Sequence, residues 1–171
     1  FKQKTAYEIY QCDWSSDVCS SDLVSIQGPI NARLYTSVTS VGGDGMLSVA
    51  VEDVAPDGTV SRLTGGWQVL SFRQLDRARS RYLGGRLIQA FHPFTAASKQ
   101  AMPSGAVVPV DVEVFPTAAR IAPGHRLRLA IQAYDTPHLV PTLADLAGGL
   151  GVITVHTGGD TPSVLTVPTL R

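Results

Sequence analysis

The amino-acid sequence predicts an all-β fold, an antiparallel β-sandwich whose natural form is a jelly roll. Apolar and polar residues alternate with a period of two in several short runs after residue 23, as in strands with one buried face. The chain contains 16 Gly and 11 Pro, and many of them fall between these runs, where they predict turns. Apolar stripes at helical spacing are rare. Roughly eight or nine short strands separated by such turns indicate a sandwich.

The first half of the chain predicts strands joined by a hairpin. The inward positions of the first two strands are apolar: Ala32, Leu34 and Val38, then Leu47, Val49 and Val51. Pro56 presets the first angle of a turn and Gly58 tolerates a positive φ, so the chain should reverse into residues 59–63. After a Gly pair, residues 67–72 form another alternating run.

The middle of the chain is less regular, and strands return toward the end. Residues 73–81 are rich in arginine and predict either a short helix or a surface turn. Residues 84–105 show no period and predict a long connection of the kind that Greek-key topologies require. Four valines from 108 to 114 alternate with Pro109, Asp111 and Glu113. Pro109 indicates an edge strand or an irregular start, because Pro cannot donate to a ladder. Clean alternation follows at residues 126–132, with short strands at 152–156 and 164–167.

Residues 1–23 differ in kind from the remainder. This segment has no Gly and no Pro, yet it holds both cysteines of the chain, Cys12 and Cys19. Its sequence, FKQKTAYEIYQCDWSSDVCSSDL, resembles a translated sequencing-library adapter. We therefore treat residues 1–23 as a non-native segment, expect it to be disordered, and assign the domain to residues 24–171. That domain has no cysteine for a disulfide or a thiolate site, which is neutral about its compartment.

Charge and hydropathy argue against several classes of partner. The chain has 14 basic and 14 acidic residues, so no excess of charge favours nucleic acid or an acidic membrane surface. No apolar run approaches the length of a membrane span. We expect neither a nucleic-acid partner nor a membrane partner.

The domain contains no complete catalytic or cofactor motif. It lacks the G-x-S-x-G elbow of serine hydrolases, the H-E-x-x-H of zinc proteases, an EF-hand loop and a P-loop. We expect no metal and no cofactor. Its four histidines are read more readily as packed or turn residues than as bases: His92, His125, His138 and His156. Asp135, three residues before His138, gives the most site-like pair.

Several segments of the domain resemble one known family. They are VAVEDVAPDGTVSRLTGG at 49–66, FHPF at 91–94, PGHRLRLAIQAYDTPHLVP at 123–141 and PSVLTVP at 162–168. In this order they resemble the C-terminal domain of the X-Pro dipeptidyl-peptidase and cocaine-esterase (CocE/NonD) serine hydrolases. The resemblance covers nearly all of residues 24–171 and does not specify a substrate.

This resemblance implies a jelly roll of galactose-binding-like topology packed on an α/β-hydrolase domain that supplies Ser, Asp and His. The catalytic triad then lies upstream of Val24, and the present domain contributes no catalytic residue. Loops of such domains can border the active site, which gives six candidates for a substrate-pocket wall: Phe91, His92, Phe94, Tyr134, Asp135 and His138. The alternative is a stand-alone carbohydrate-binding sandwich, which would need exposed aromatic side chains.

Overall fold

A computed structural model describes residues 2–5, 15–19, 23–40, 42–135, 138 and 151–170. Within these ranges the chain forms eleven strands and two short 3₁₀ turns, at Leu70–Phe72 and Ala96–Ser98. The strands are β1 (Lys2–Thr5), β2 (Ser15–Cys19), β3 (Val24–Ser40), β4 (Met46–Val54), β5 (Val60–Val69), β6 (Arg81–Leu83), β7 (Arg86–Gln89), β8 (Val108–Ile121), β9 (Arg126–Gln132), β10 (Gly151–His156) and β11 (Val164–Leu170). The prediction of an all-β, antiparallel sandwich is confirmed. Its jelly-roll connectivity and galactose-binding-like topology stay predictions.

The first sheet is organised around β3, a strand of 17 residues. Along one edge β3 pairs antiparallel with β8, from Val24 opposite Ile121 to Thr36 opposite Val108. Along the other edge its first half pairs with β11 and its second half with β10. A single long strand therefore carries the ladders of three partners.

The second sheet has the order β2-β9-β4-β5, and all its pairs are antiparallel. The predicted hairpin between β4 and β5 is confirmed: the Gly58 amide donates to the Ala55 carbonyl at 2.9 Å. Gly58 has a φ of +87°, which a side chain would disfavour. β5 runs unbroken through Gly65 and Gly66, where the sequence had suggested two separate runs.

The core lies between the inward faces of the two sheets. The apolar positions predicted to face inward in β3, β4, β8 and β9 are buried or partly buried and cluster together, as predicted. In β4 the intervening Ser48 and Ala50 are buried as well, although they were expected to point outward. The fully covered side chains include Ile30, Ala32, Leu34, Val49, Val51, Val110, Val112 and Val114. Burying each large aliphatic side chain contributes about 1.5–3 kcal/mol, so this layer is the main source of stability.

At one side of the sandwich the two sheets meet along β5 and β8. A Cβ atom on Gly66 would collide with the carbonyl oxygen of Glu113, so the strands approach more closely here than a side chain allows. Next to this point the Thr64 hydroxyl donates to the Phe115 carbonyl at 2.8 Å. The Trp67 and Phe115 rings meet edge to face, 5.4 Å between centroids. We call this contact of Thr64, Gly66 and Trp67 with residues 113–115 the seam.

The connection between β5 and β8 corrects one prediction. Residues 81–89 form a hairpin, β6 to β7, although the sequence analysis had assigned them to an arginine-rich stretch and a structureless connection. Gly84 and Gly85, with φ of +56° and +77°, make the two-residue turn that lets the short strands pair. Residues 73–80 form no helix and turn at 77–80, so of the two predictions for the arginine-rich stretch the surface turn is confirmed up to the start of β6.

The segment that we treat as foreign also contains described strands. β1 pairs with β11, and β2 pairs with β9, each at the edge of its sheet. The sequence analysis did not anticipate these pairings, and the non-native origin of residues 1–23 and the domain boundary at Val24 stay predictions. No helix among the described residues is long and apolar enough to cross a membrane.

Candidate functional site

His92 anchors the first of the two predicted loops. Its ring is buried, with Nδ1 3.0 Å from the carbonyl oxygen of Gln74 and Nε2 2.8 Å from that of Asp111. The imidazole thus links two distant stretches of backbone to the loop that carries it. A ring held on both sides is fixed in place, which is the role of a loop anchor more than of a free base.

Phe94, in the same loop, has an unusual backbone conformation. It has a φ of +51°, the one positive value at a residue other than glycine among the described residues, and 55% of it is exposed. Its ring lies 5.8 Å from the His92 ring and 6.0 Å from the Phe72 ring. On its C-terminal side Thr95 and Ser98 bond reciprocally in a capping box. The loop is therefore rigid at both ends while the Phe94 ring faces water.

Phe91, the third candidate of this loop, is partly buried and stays beside the anchor. The guanidinium carbon of Arg79 lies 3.6 Å from the centroid of its ring, which is a close cation–π contact. Phe91 therefore supports the loop, and among its three candidates Phe94 offers the largest exposed surface.

Asp135 holds the second loop through a buried carboxylate. Its side chain is 5% exposed and accepts hydrogen bonds from both terminal nitrogens of Arg62, at 3.3 and 3.0 Å. The Trp67 indole Nε1 donates to Oδ2 at 3.1 Å. The hydrogen bonds from Arg62 are the largest cause holding the pKa of Asp135 below its usual range, against the opposing effect of burial. The carboxylate is therefore ionised and fully engaged at neutral pH.

His138 lies at the rim of this arrangement. Its Nδ1 is 3.4 Å from Oδ1 of Asp135, and its side chain is 63% exposed. The predicted Asp135–His138 pair therefore exists, but Arg62 and Trp67 are the closer partners of the carboxylate. Tyr134 is partly buried, and residues 136, 137, 139 and 140 of this loop lie outside the described residues.

The sequence analysis missed Arg62 and Trp67 as members of this group. They lie 73 and 68 residues from Asp135, and no local pattern connects them. Trp67 was placed only at the start of the alternating run 67–72. The sequence offered one signal. Asp135 lies close to His138, and an acidic side chain that becomes buried needs a cationic partner.

β8 brings the two loops to neighbouring places on the surface. His92 binds the Asp111 carbonyl, while Trp67, which holds Asp135, packs on Phe115. These two attachment points lie four positions apart along the strand, a span of about 14 Å. The six predicted residues thus belong to two groups along one edge of the sandwich, joined by the seam.

Beneath the first loop lies a second buried carboxylate. Asp111 accepts two hydrogen bonds from Arg33, at 3.0 and 2.8 Å, and one from the Asn31 amide at 3.0 Å. Hydrogen bonding to Asp111 is the largest cause raising the pKa of Arg33. The pair locks β3 to β8 at the level where His92 is attached, and this gives it a structural role.

The other polar pairs do not complete a hydrolytic site. Ser37 Oγ lies 2.9 Å from His156 Nε2, and the described contacts of this pair include no carboxylate. His125 Nδ1 lies 2.9 Å from Asp53 Oδ1, without a described serine contact. The Asp44 carboxylate accepts hydrogen bonds from the backbone amides of Gly45 and Ser71. Asp44 therefore has a structural role in its glycine-rich turn. Among the residues that the structure describes, no three His, Cys, Asp or Glu side chains are grouped so that they could hold a metal.

Comparison with protein families decides the relationship. The family model of the X-Pro dipeptidyl-peptidase C-terminal non-catalytic domain matches residues 22–166. The chain belongs to this family. The resemblance that the sequence analysis drew from four segments is therefore confirmed.

Among individual proteins, the chain is similar to a Mycobacterium bovis protein described as a serine esterase. The two are 28% identical over 115 residues, which is 67% of this chain and 18% of that protein. A crystal structure of a CocE/NonD family hydrolase from Staphylococcus aureus superposes with a TM-score of 0.77 at 19% identity, covering 99% of this chain and 32% of the hydrolase. An aminopeptidase from a thaumarchaeote gives 0.66 at 14% identity, with 92% and 26% covered. These structures share the fold, and the chain spans less than a third of each.

Proposed function

We propose that this domain is the C-terminal accessory domain of a serine hydrolase, a dipeptidyl-peptidase or acyl esterase, packed on the α/β-hydrolase catalytic domain of the same parent chain. The family match over residues 22–166 carries this proposal, because the family is defined as non-catalytic. In the parent, the catalytic domain would supply the nucleophile, the base and the oxyanion hole.

The side-chain pairs of the domain support a role without catalysis of its own. Acyl transfer by a triad needs a serine, a histidine and an acid together. In the part of the chain that the structure describes, serine–histidine and histidine–aspartate pairs occur at separate places. None of the three pairs has the missing third member among its described contacts.

We further propose that the two loops along β8 help to wall the active site of the parent enzyme. Phe91, His92, Tyr134 and Asp135 would hold the loops in shape, since they are buried or partly buried. Phe94 and His138 would face the neighbouring domain, since both are exposed. The rigidity of the anchors favours this role, because a pocket wall must keep its geometry.

Recovery of the intact gene tests the proposal. We expect a G-x-S-x-G elbow upstream of residue 24 in the same reading frame, and an expressed full chain that hydrolyses a p-nitrophenyl ester. Replacement of the elbow serine by Ala should abolish this activity, and the present chain should lack it. An upstream frame without a hydrolase domain would contradict the proposal.

The alternative function, a stand-alone carbohydrate-binding module, is favoured by one observation. Three aromatic side chains are exposed, Tyr82 by 44%, Phe94 by 55% and Phe115 by 49%, and sugar platforms are built from such rings. Saturable binding of an oligosaccharide by residues 24–171, lost on replacing these rings, would favour the alternative.

A further inference from the structure

We propose that Phe94 is the docking anchor of this domain, inserted into an apolar, acid-rimmed pocket on the catalytic domain of the parent chain. This inference rests on the proposed function. It adds that the catalytic domain covers the surface around Phe94 and that the Phe94 ring makes the central contact.

The first support is the conformation of Phe94 itself. A residue other than glycine is disfavoured at a φ of +51°. Burial of the Phe94 ring does not offset this strain, because 55% of the residue is exposed. The anchored ring of His92 and the capping box at Thr95 hold the loop so that the ring stays outward. An exposed aromatic ring on a rigid base is the usual form of a binding hot spot, since little freedom remains to be lost on docking.

The second support is the charge of the segment that carries the loop. Between β5 and β8, residues 70–107 contain one acidic side chain, Asp76, and six basic ones: Arg73, Arg77, Arg79, Arg81, Arg86 and Lys99. Two of these cations lie at the aromatic side chains of the loop: the Arg79 guanidinium is 3.6 Å from the Phe91 centroid, and the Lys99 ammonium is 5.8 Å from that of Phe72, the neighbour of Phe94. Both residues are exposed. Complementarity therefore requires a partner surface with an apolar pocket and carboxylates at its rim.

The same charge argues against other occupants. A second copy docking through this face would bring identical basic groups together across a two-fold axis, which is repulsive. A neutral sugar carries no negative charge that could pair with these cations. A large neighbour in the same chain is available, because related chains of this fold extend well beyond the domain, which covers 32% of the Staphylococcus aureus hydrolase.

Hydroxyl-radical footprinting of the full parent chain, compared with the present chain, tests the location. The Phe94 ring should be oxidised about tenfold more slowly in the full chain, as expected of a side chain enclosed at a domain interface. Val152, 63% exposed on β10 at the opposite edge of the first sheet, should be oxidised at the same rate in both. Equal oxidation of Phe94 in the two proteins would overturn the inference.

A matched pair of variants tests the energetics. Phe94→Asn removes the ring but tolerates a positive φ, so the present chain should melt at or above the wild-type temperature. In the full chain the same variant should lower the temperature of thermal inactivation by several degrees, while Val152→Ala should not. Unchanged inactivation of the Phe94→Asn full chain would also overturn the inference.

The outcomes separate the two proposals. A full chain with an active hydrolase domain and an accessible Phe94 ring refutes the anchor and leaves the accessory function intact. An upstream frame without a hydrolase domain refutes both. Oligosaccharide binding that is lost in Phe94→Asn would assign the ring to a sugar and refute the anchor.

Discussion

Gly66→Ala tests whether the seam holds the two sheets together. An added Cβ would overlap the carbonyl oxygen of Glu113, and it would lie 2.9 Å from the carbonyl carbon and 3.1 Å from the Cα of Val114. All three atoms are backbone, so the conflict can be relieved only by moving β5 away from β8. Overpacking of this kind costs about 1–3 kcal/mol. Loss of the bond from Thr64 to the Phe115 carbonyl would add about 1 kcal/mol.

The expected loss is therefore roughly 2–4 kcal/mol, measured by urea or thermal unfolding followed by circular dichroism. For a chain of 171 residues this corresponds to a fall in melting temperature of about 5–15 °C. Gly58→Ala is the control, because its Cβ would meet nothing within 4 Å and only the backbone conformation at a φ of +87° is penalised, by about 1–2 kcal/mol. If Gly66→Ala destabilised the protein no more than Gly58→Ala, the close approach of the two sheets would be refuted.

Three further predictions concern the loops. Because the folded pKa of Asp135 is lowered, chiefly by hydrogen bonding to Arg62, its stabilising contribution is present above the unfolded pKa of about 3.9 and is lost as the pH falls through the folded pKa. Wild-type stability should therefore fall more steeply on acidification than that of Asp135→Asn, and parallel pH profiles in denaturant titrations would contradict this. His92→Ala leaves the Asp111 carbonyl without its partner and should cost about 1–3 kcal/mol, with faster proteolysis of the loop; unchanged cleavage would show that the ring is no anchor. Phe94→Asn relieves a backbone cost of about 1 kcal/mol, so its melting temperature should match or exceed that of the wild type, and a lower value would disprove the strain.

Local patterns in the sequence were sufficient to predict most strands. The alternation of Ala32 and Leu34 with polar neighbours specified the buried face of β3, and the Pro-Asp-Gly turn specified the hairpin, because both depend on residues adjacent in the chain. The β6–β7 hairpin was missed although Gly84-Gly85 is a recognised two-residue turn signal. Its strands are only 3 and 4 residues long, and the arginines on both sides obscured the alternation.

The candidate site could be predicted only in outline. The pairing of Asp135 with His138 could be predicted because the two residues are only three positions apart in the chain. The stronger contacts of Asp135, with Arg62 and Trp67, arise because β5 passes beside the second loop, and one sequence holds no record of that approach. The same holds for His92, whose partners are backbone carbonyls that any residue could supply.

The length of β3 has a consequence for how the protein is made. Its partners emerge from the ribosome late: the Asn31–Asp111 bond spans 80 residues and the Tyr35–Ser163 bond spans 128. At a synthesis rate of about 5–20 residues per second, β3 waits roughly 6–25 s for its last ladder. Both edges of this long strand are open until β8 has been made, and one edge stays open until β10 and β11 have been made, which is the condition under which nascent chains pair wrongly. The yield of folded protein in cells should therefore depend on how well chaperones cover β3 until β11 has been translated.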